Sequence, residues 1–136
     1  MPEALYLDTS VVLRAVLESG LTPGAEKQIA AATVLVTSRL SLVESARALL
    51  RIRQSSTLSE LRLDEAESAL EAVWDRCDLW ELTPSICESA GRLAPRKLLR
   101  TLDALHLATF LAARRRIPEL TLLSADARLQ EAVGGR

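Results

Sequence analysis

Two short runs in this chain, Ala4-Leu5-Tyr6-Leu7 and Val34-Leu35-Val36, are apolar at every position rather than at alternate ones. A strand with one wet face alternates. A strand covered on both faces does not, and such strands belong to parallel sheets with helices above and below. Leu79 to Leu82 and Leu120 to Leu123 are weaker strand candidates. Between them lie segments with helical spacing of apolar residues: Val11 to Glu18, Pro23 to Ala32, Leu40 to Arg53, Leu63 to Arg76, Ser85 to Leu93, Leu102 to Arg115 and Ala127 to Val133. Helix punctuation agrees, with Thr22-Pro23 and Thr83-Pro84 opening two of these segments and Gly20 and Pro118 closing others. Strands separated by helices require right-handed crossovers, so the expected class is α/β, a three-layer α/β/α arrangement around a parallel sheet of four to five strands.

The 136 residues are expected to form a single domain spanning 1–136, long enough to bury roughly two-thirds of the unfolded surface. At 49% hydrophobic and 26% charged residues the composition is that of a globular chain rather than a disordered one. No apolar run approaches the roughly 20 residues that span a bilayer, and the amino terminus lacks a basic segment followed by an apolar core, so the expected location is cytoplasmic, without membrane contact. Cys77 and Cys87 are too few and too far apart for a zinc site; both fall in segments read as helical and are expected to be buried thiols.

Ligands of open parallel sheets bind beyond the carboxyl ends of the strands. Asp8 directly follows the first strand and Asp126 follows the last after Ser124 and Ala125, so both carboxylates reach that edge. Glu44 lies in the helix after Val34-Leu35-Val36, beside an apolar stripe of Leu42, Val43, Ala46, Leu49 and Leu50. Asp103 opens a segment through Leu111 that is apolar nearly all round, hence a buried helix in which an acid needs a partner. Carboxylates gathered without countercharge repel one another and raise their own pKa values, and a hard divalent cation is the simplest remedy. Oxygen ligands with no His or Cys cluster favour Mg²⁺ or Mn²⁺ over zinc, and such ions assist phosphodiester hydrolysis. Taken singly, each acid also has a plainer role: Asp8 or Ser10 as an N-cap, Asp103 favouring a helix dipole, Asp126 as a cap, and Glu44 paired with Arg47 or Arg51 on its own helix.

The order and surroundings of these acids resemble the PIN-domain family, and within it the VapC-type toxins of toxin–antitoxin pairs. Leu5-Tyr6-Leu7-Asp8-Thr9-Ser10-Val11-Val12 is similar to the opening strand with its first acid, and Ser41-Leu42-Val43-Glu44-Ser45-Ala46 to the helix carrying the second. Leu102-Asp103-Ala104-Leu105-His106-Leu107-Ala108 is similar to the third-acid segment, and Leu122-Leu123-Ser124-Ala125-Asp126-Ala127-Arg128-Leu129 to the fourth. Where the family commonly has Thr two residues before the last acid, Ser124 keeps the hydroxyl and loses a methyl. The resemblance implies a PIN-like fold, a homodimer, and Mg²⁺ or Mn²⁺ held by Asp8, Glu44, Asp103 and Asp126. It further implies a metal-activated water cutting RNA (tRNA, rRNA or mRNA) to leave 5′-phosphate and 3′-hydroxyl ends, and inhibition by a VapB-type antitoxin. Ser10 and Ser124 are then expected to support the ligands. His106, one turn along from Asp103, is read as a satisfied core histidine and not as the general base.

Seventeen Lys and Arg against 18 Asp and Glu leave a net charge of −1, so the whole molecule offers no electrostatic attraction to RNA. The cations are clustered and nearly all Arg, and Arg47, Arg96, Lys97 and Arg100, which flank two of the acids, are the expected phosphate contacts. Besides a domain that has lost catalysis and serves only as a binding or antitoxin-titrating module, against which the presence of all four acids argues, two enzymatic alternatives stand beside the toxin reading. One is a PIN-type RNA-processing nuclease that is not a toxin. The other is an aspartate-nucleophile phosphotransferase, because Asp8-Thr9-Ser10 follows a first strand; that class wants a second acid where Ser10 stands, or an acidic pair and a strand-end lysine, and neither Lys27 nor Lys97 ends a strand. The apolar residues between Leu58 and Leu82, including Leu61, Leu63, Leu70, Trp74 and Trp80, exceed the evident needs of one small core and suit the dimer as well as core packing.

Overall fold

The structure, a computed structural model, describes residues 3–18, 23–55, 57–95 and 99–134. Among these, β1 (Ala4–Leu7), β2 (Val34–Ser38), β3 (Cys77–Trp80) and β4 (Thr121–Leu123) form one sheet in the order β3-β2-β1-β4. All pairings are parallel, with Ala4 opposite Val34, Leu5 opposite both Leu35 and Thr121, and Leu35 opposite Cys77. The helices are α1 (Thr9–Leu17), α2 (Pro23–Ala31), α3 (Arg39–Ser55), α4 (Glu60–Asp75), α5 (Pro84–Ala90), α6 (Thr101–Arg116) and α7 (Ala127–Gly134). The chain steps outward from β1 to β2 to β3 and then returns to lay β4 on the other side of β1. The switch point therefore lies between the carboxyl ends of β1 and β4.

Period-two geometry explains why β1 and β2 are apolar throughout. Ala4, Tyr6, Val36 and Leu122 point to one face and pack with Leu107, Phe110 and Ala113 of α6 and Leu129 and Ala132 of α7. Leu5, Leu7 and Leu35 point to the other and meet Val11 and Val12 of α1, Ile29 of α2, Leu49 of α3 and Leu70 and Trp74 of α4. Two helical layers thus cover one sheet, the three-layer arrangement expected. Helix starts follow the local chemistry: Ser59 accepts from the Arg62 N–H to cap α4, and Thr83 accepts from the Ile86 N–H to cap α5, with Pro84 in its first turn. Thr22 and Gly20, also read as punctuation, lie outside the described residues.

The structure moves several boundaries. β2 runs on through Thr37 and Ser38, which are polar yet fully buried; Thr37 donates to the Leu7 carbonyl at 2.7 Å, and Ser38 Oγ accepts from the Leu40 N–H at 3.0 Å. β3 begins at Cys77 and ends at Trp80 instead of spanning Leu79 to Leu82, because pairing with Leu35 through Ser38 sets its length and Thr83 is needed for the next cap. On α3 the inward face is Ser41, Ser45, Ala48 and Leu49, while Val43 and Leu50 of the expected apolar stripe are exposed.

Cys77 sits in a strand and only Cys87 in a helix, where it is exposed rather than buried. Burial pushes the Cys77 thiol up to about 12, with the nearby Arg76 opposing and Asp78 adding to the rise. At pH 8 a thiol-specific disulfide reagent should therefore label Cys87 rapidly in the native protein and reach Cys77 only after denaturant is added. Two equally fast thiols in the native state would contradict the placement of β3.

Candidate active site

Asp8 is the residue that β1 delivers to the switch point. It is 4% exposed and occupies the N-cap position of α1, yet its side chain makes no capping bond there. Its Oδ2 instead accepts from Ser10 Oγ at 2.6 Å and from Ser124 Oγ at 2.7 Å. Those hydroxyls are themselves held: Ser10 Oγ accepts from the Ala125 N–H and Ser124 Oγ from the Asp126 N–H. With the Asp8 N–H donating to the Leu123 carbonyl, these bonds stitch the end of β1 to the loop after β4. Asp8 Oδ1 faces His106 Nε2 at 3.7 Å, beyond a normal hydrogen bond.

Glu44 enters from α3, on the helix that follows β2, with a side chain 22% exposed. Its Oε1 accepts from Thr9 Oγ1 and lies against His106 Nε2, both at 2.6 Å. Burial would raise the Glu44 carboxyl, but the hydrogen bonds from His106 and Thr9 and the electrostatic influence of the nearby imidazole outweigh it and hold the group below its ordinary value. The pairing of Glu44 with Arg47 or Arg51 weighed from helix spacing is replaced by these contacts from β1–α1 and α6. Arg47 is exposed on α3.

Asp103 lies in the first turn of α6, half-buried. Its carboxyl is raised, first by burial and then by repulsion from Asp126, Asp8 and Glu44, with His106 opposing. It has no hydrogen-bond donor or cation in contact among the described residues. Asp126 accepts from the Arg128 N–H at Oδ1, 2.9 Å, and so caps α7, with the Arg128 side chain 3.9 Å from the same oxygen. Its capping role and its place in the acid cluster coexist.

The fold thus draws Asp8, Glu44 and Asp126 into electrostatic range of Asp103 from four different segments, although no three of the described His, Cys, Asp or Glu side chains stand gathered at metal-ligand spacing. The donor set is oxygen-rich, and Asp103 carries repulsion that no described donor relieves. A hard divalent cation fits that chemistry. Of the basic residues expected to touch substrate, Arg100 is exposed at the N-cap of α6, and Arg96 and Lys97 lie outside the described residues. A separate cleft of about 800 Å³ between α1, α2 and α4, lined by Val12, Val16, Ile29, Arg62 and Val73 among others, contains none of the four acids.

Ser10 and Ser124 support Asp8 as expected from the sequence, whereas the groups that support Glu44 go beyond that expectation. His106 is satisfied and 1% exposed, as expected of a core histidine, but one of its partners is Glu44. Tyr6, Ser41 and Thr37 stand outside the expected site residues, yet they join its hydrogen-bond network. The available signal was a lone polar ring in the apolar run of α6, and buried hydroxyls at the end of an apolar strand.

The chain matches the PIN domain over residues 5–134. Among curated proteins it is similar to ribonuclease VapC45 of Mycobacterium tuberculosis strain CDC 1551 and ribonuclease VapC49 of strain H37Rv. Each is 38% identical over 77 residues, 57% of this chain and 54% of the relative, so the chain spans about half the length of the curated relatives it matches. Among solved structures, PAE2754 from Pyrobaculum aerophilum superposes with a TM-score of 0.67 at 18% identity, covering 97% of this chain and 87% of that one. M. tuberculosis VapC20, described as a sarcin–ricin loop cleaving toxin, gives 0.66 at 18% identity, covering 95% of each chain. VapBC2 from Rickettsia felis, solved with a DNA fragment from its promoter, gives 0.59 at 15%, covering 88% of this chain and 97% of that one. The structural likenesses carry the fold, and no helix of the described residues is long and apolar enough to cross a membrane. Because the domain match runs from the first strand to the last helix, through the segments of all four acids, the chain belongs to the PIN-domain family.

Proposed function

We propose that this chain is a divalent-metal-dependent endoribonuclease of the VapC type, the toxin of a type II toxin–antitoxin pair, acting in the cytoplasm on tRNA, rRNA or mRNA. What supports this reading is the electrostatic coupling of Asp103 to Asp126, Asp8 and Glu44 near the carboxyl edge of the sheet, in a chain that resembles named VapC ribonucleases. PIN nucleases use a divalent metal, and here Mg²⁺ or Mn²⁺ would be held by Asp8, Glu44 and Asp103, with Asp126 completing the set. When bound, such an ion supplies positive charge to a phosphoryl oxygen and acidifies water.

The chain's own groups prepare that site. Ser10 and Ser124 take one oxygen of Asp8 and leave the other toward the crevice. Thr9 and His106 do the same for Glu44. Asp126, tied to the Arg128 N–H through Oδ1, keeps its second oxygen for the site. Arg47 and Arg100, both exposed, and Arg96 and Lys97 would hold the flanking phosphates, compensating locally for a net charge of −1. The partners are a VapB-type antitoxin and a second copy of the chain. Leu58 and Leu61, 42% and 70% exposed before and within α4, offer the apolar surface for the homodimer, while Leu63, Leu70 and Trp74 of that stretch are used in the chain's own core.

Purified protein incubated with total RNA should cut it with Mg²⁺ or Mn²⁺ and not with chelator, leaving 5′-phosphate ends. Asp8→Asn should lower turnover by more than about a hundredfold, since even the outer partners of metal ligands are worth 10- to 100-fold, while its circular dichroism stays that of the wild type. Full activity in that variant would sink the assignment. Growth arrest on expression without the antitoxin separates a toxin from an RNA-processing nuclease.

Asp103 gives a test with a sign. A carboxyl raised in the fold favours folding only while protonated, and that contribution is lost as pH rises through the folded value. At neutral pH the ionised group opposes the metal-free fold. In chelator at pH 7, Asp103→Asn should therefore melt higher than the wild type, and the gap should close in acid, where Asp103 is protonated in both states. With saturating Mn²⁺ the order should reverse. A lower melting point in chelator would mean that the carboxylate is already compensated. Sedimentation should give twice the chain mass at micromolar protein, and Leu61→Glu should shift it toward monomer; a monomer mass at every concentration would exclude the dimer.

A further inference from the structure

His106 lies one turn after Asp103 on α6, 1% exposed, with both ring nitrogens engaged. Nδ1 is 2.8 Å from the Tyr6 hydroxyl, and Nε2 is 2.6 Å from Glu44 Oε1. Glu44, ionised, can only accept, so the imidazole proton on that side sits on Nε2. In the neutral ring Nδ1 must then receive a proton, and Tyr6 can give one. Its hydroxyl is fully buried, and a phenol carries a proton to donate. Tyr6 thereby sets the tautomer, and the tautomer sets which group His106 can hold.

The consequence falls on Glu44. Thr9 and His106 both address Oε1, while Oε2 accepts from no described residue. Asp8 shows the same division, with Ser10 and Ser124 both on Oδ2. The two carboxylates are each pinned by one oxygen, while the other accepts no hydrogen bond from a described residue; Asp8 Oδ1 only faces His106 Nε2 at 3.7 Å. For Glu44 this removes the freedom of a long side chain before any ligand arrives. Core packing alone would not select this arrangement, since a leucine fills a buried apolar slot without needing a donor aimed at a carboxylate.

We propose that Tyr6 and His106 are positioning residues, a two-step tether from β1 through α6 that fixes Glu44 with one oxygen free for a divalent cation. The proposal rests on the reading of Glu44 as a ligand. It also explains why one helix carries both groups: α6 holds Asp103 and the anchor of Glu44 at a constant spacing, so the acids of α3 and α6 are positioned together.

Mn²⁺ titrated calorimetrically into the full chain tests this without reference to RNA cleavage. Glu44→Gln should weaken Mn²⁺ binding most. His106→Leu should raise the dissociation constant by about 10- to 100-fold, the range for partners that orient metal ligands. His106→Gln, whose amide N–H can reach the same carboxylate, should recover most of that loss. Tyr6→Phe keeps the ring and its edge contact with Phe110 and should give a smaller rise. In a Glu44→Gln background Tyr6→Phe should have no further effect, because it acts through Glu44.

Wild-type affinity in His106→Leu, alongside weakened binding in Glu44→Gln, would overturn the tether and leave the ligand reading standing. Unchanged affinity in Glu44→Gln would overturn the ligand reading itself. If His106→Leu fails to fold, Tyr6→Phe decides: unchanged affinity, or a loss that persists in full in the Glu44→Gln background, overturns the proposal.

Discussion

A carboxylate at the end of a strand that is covered on both faces is costly to bury unless hydrogen-bond donors meet it. Asp8 is that carboxylate, and the ends of β1 and β4 are arranged around its needs. Two hydroxyls, from the first turn of α1 and from the loop after β4, converge on one of its oxygens. Each of those hydroxyls is in turn oriented by a backbone N–H from residues 125 or 126. The parallel pairing of β1 with β4 brings Ser124 within reach, so sheet register and the compensation of Asp8 are one constraint.

The same economy of protons extends across the molecule. Thr37 gives its single hydroxyl proton to the Leu7 carbonyl, so at 2.8 Å it receives that of Ser41. Thr9 lies 3.0 Å from Ser41 and donates to Glu44, whose other partner is His106, itself bonded to Tyr6. The path leaves β1 at Leu7 and returns to it at Tyr6, having passed through β2, α3, α1 and α6. A buried polar network of this kind stabilises a single arrangement when every member is satisfied and penalises alternatives in which one is left over. Asp103 stands outside it, with repulsion from its neighbours and no described donor. Under the proposed function, these satisfied acids beside one strained acid would be preorganised for a cation, whose binding would relieve a cost already present in the fold.

Much of this was legible in the residues. Unbroken apolar runs at β1 and β2 announced strands covered on both sides, and the intervening helical periods announced crossovers. From there the carboxyl edge, and Asp8 and Asp126 upon it, followed. Thr83-Pro84 announced a helix start because a side-chain acceptor and a ring-fixed φ act locally. The less legible features depended on partners distant in sequence. The apolar run of β2 stops at Val36, and only the Leu7 carbonyl and the start of α3 make Thr37 and Ser38 part of the strand. Cys77 carried a helical pattern that pairing with Leu35 overrode. The apolar stripe of α3 does not mark its inward face, where buried Ser41 and Ser45 are satisfied by Thr37, Thr9 and the Trp74 indole.

The sequence by itself determined the α/β class, the carboxyl edge as the place where Asp8 and Asp126 stand, and the four acids as candidates, since strand and helix periods and chain order act through near neighbours. Only the tertiary structure decided which oxygen of Asp8 and Glu44 is committed, that Glu44 answers to His106 rather than to an arginine on its own helix, and that Asp103 bears the unrelieved charge. Those outcomes turn on donors brought within 3 Å from residues 35 to 116 positions away, and no local pattern records such distances.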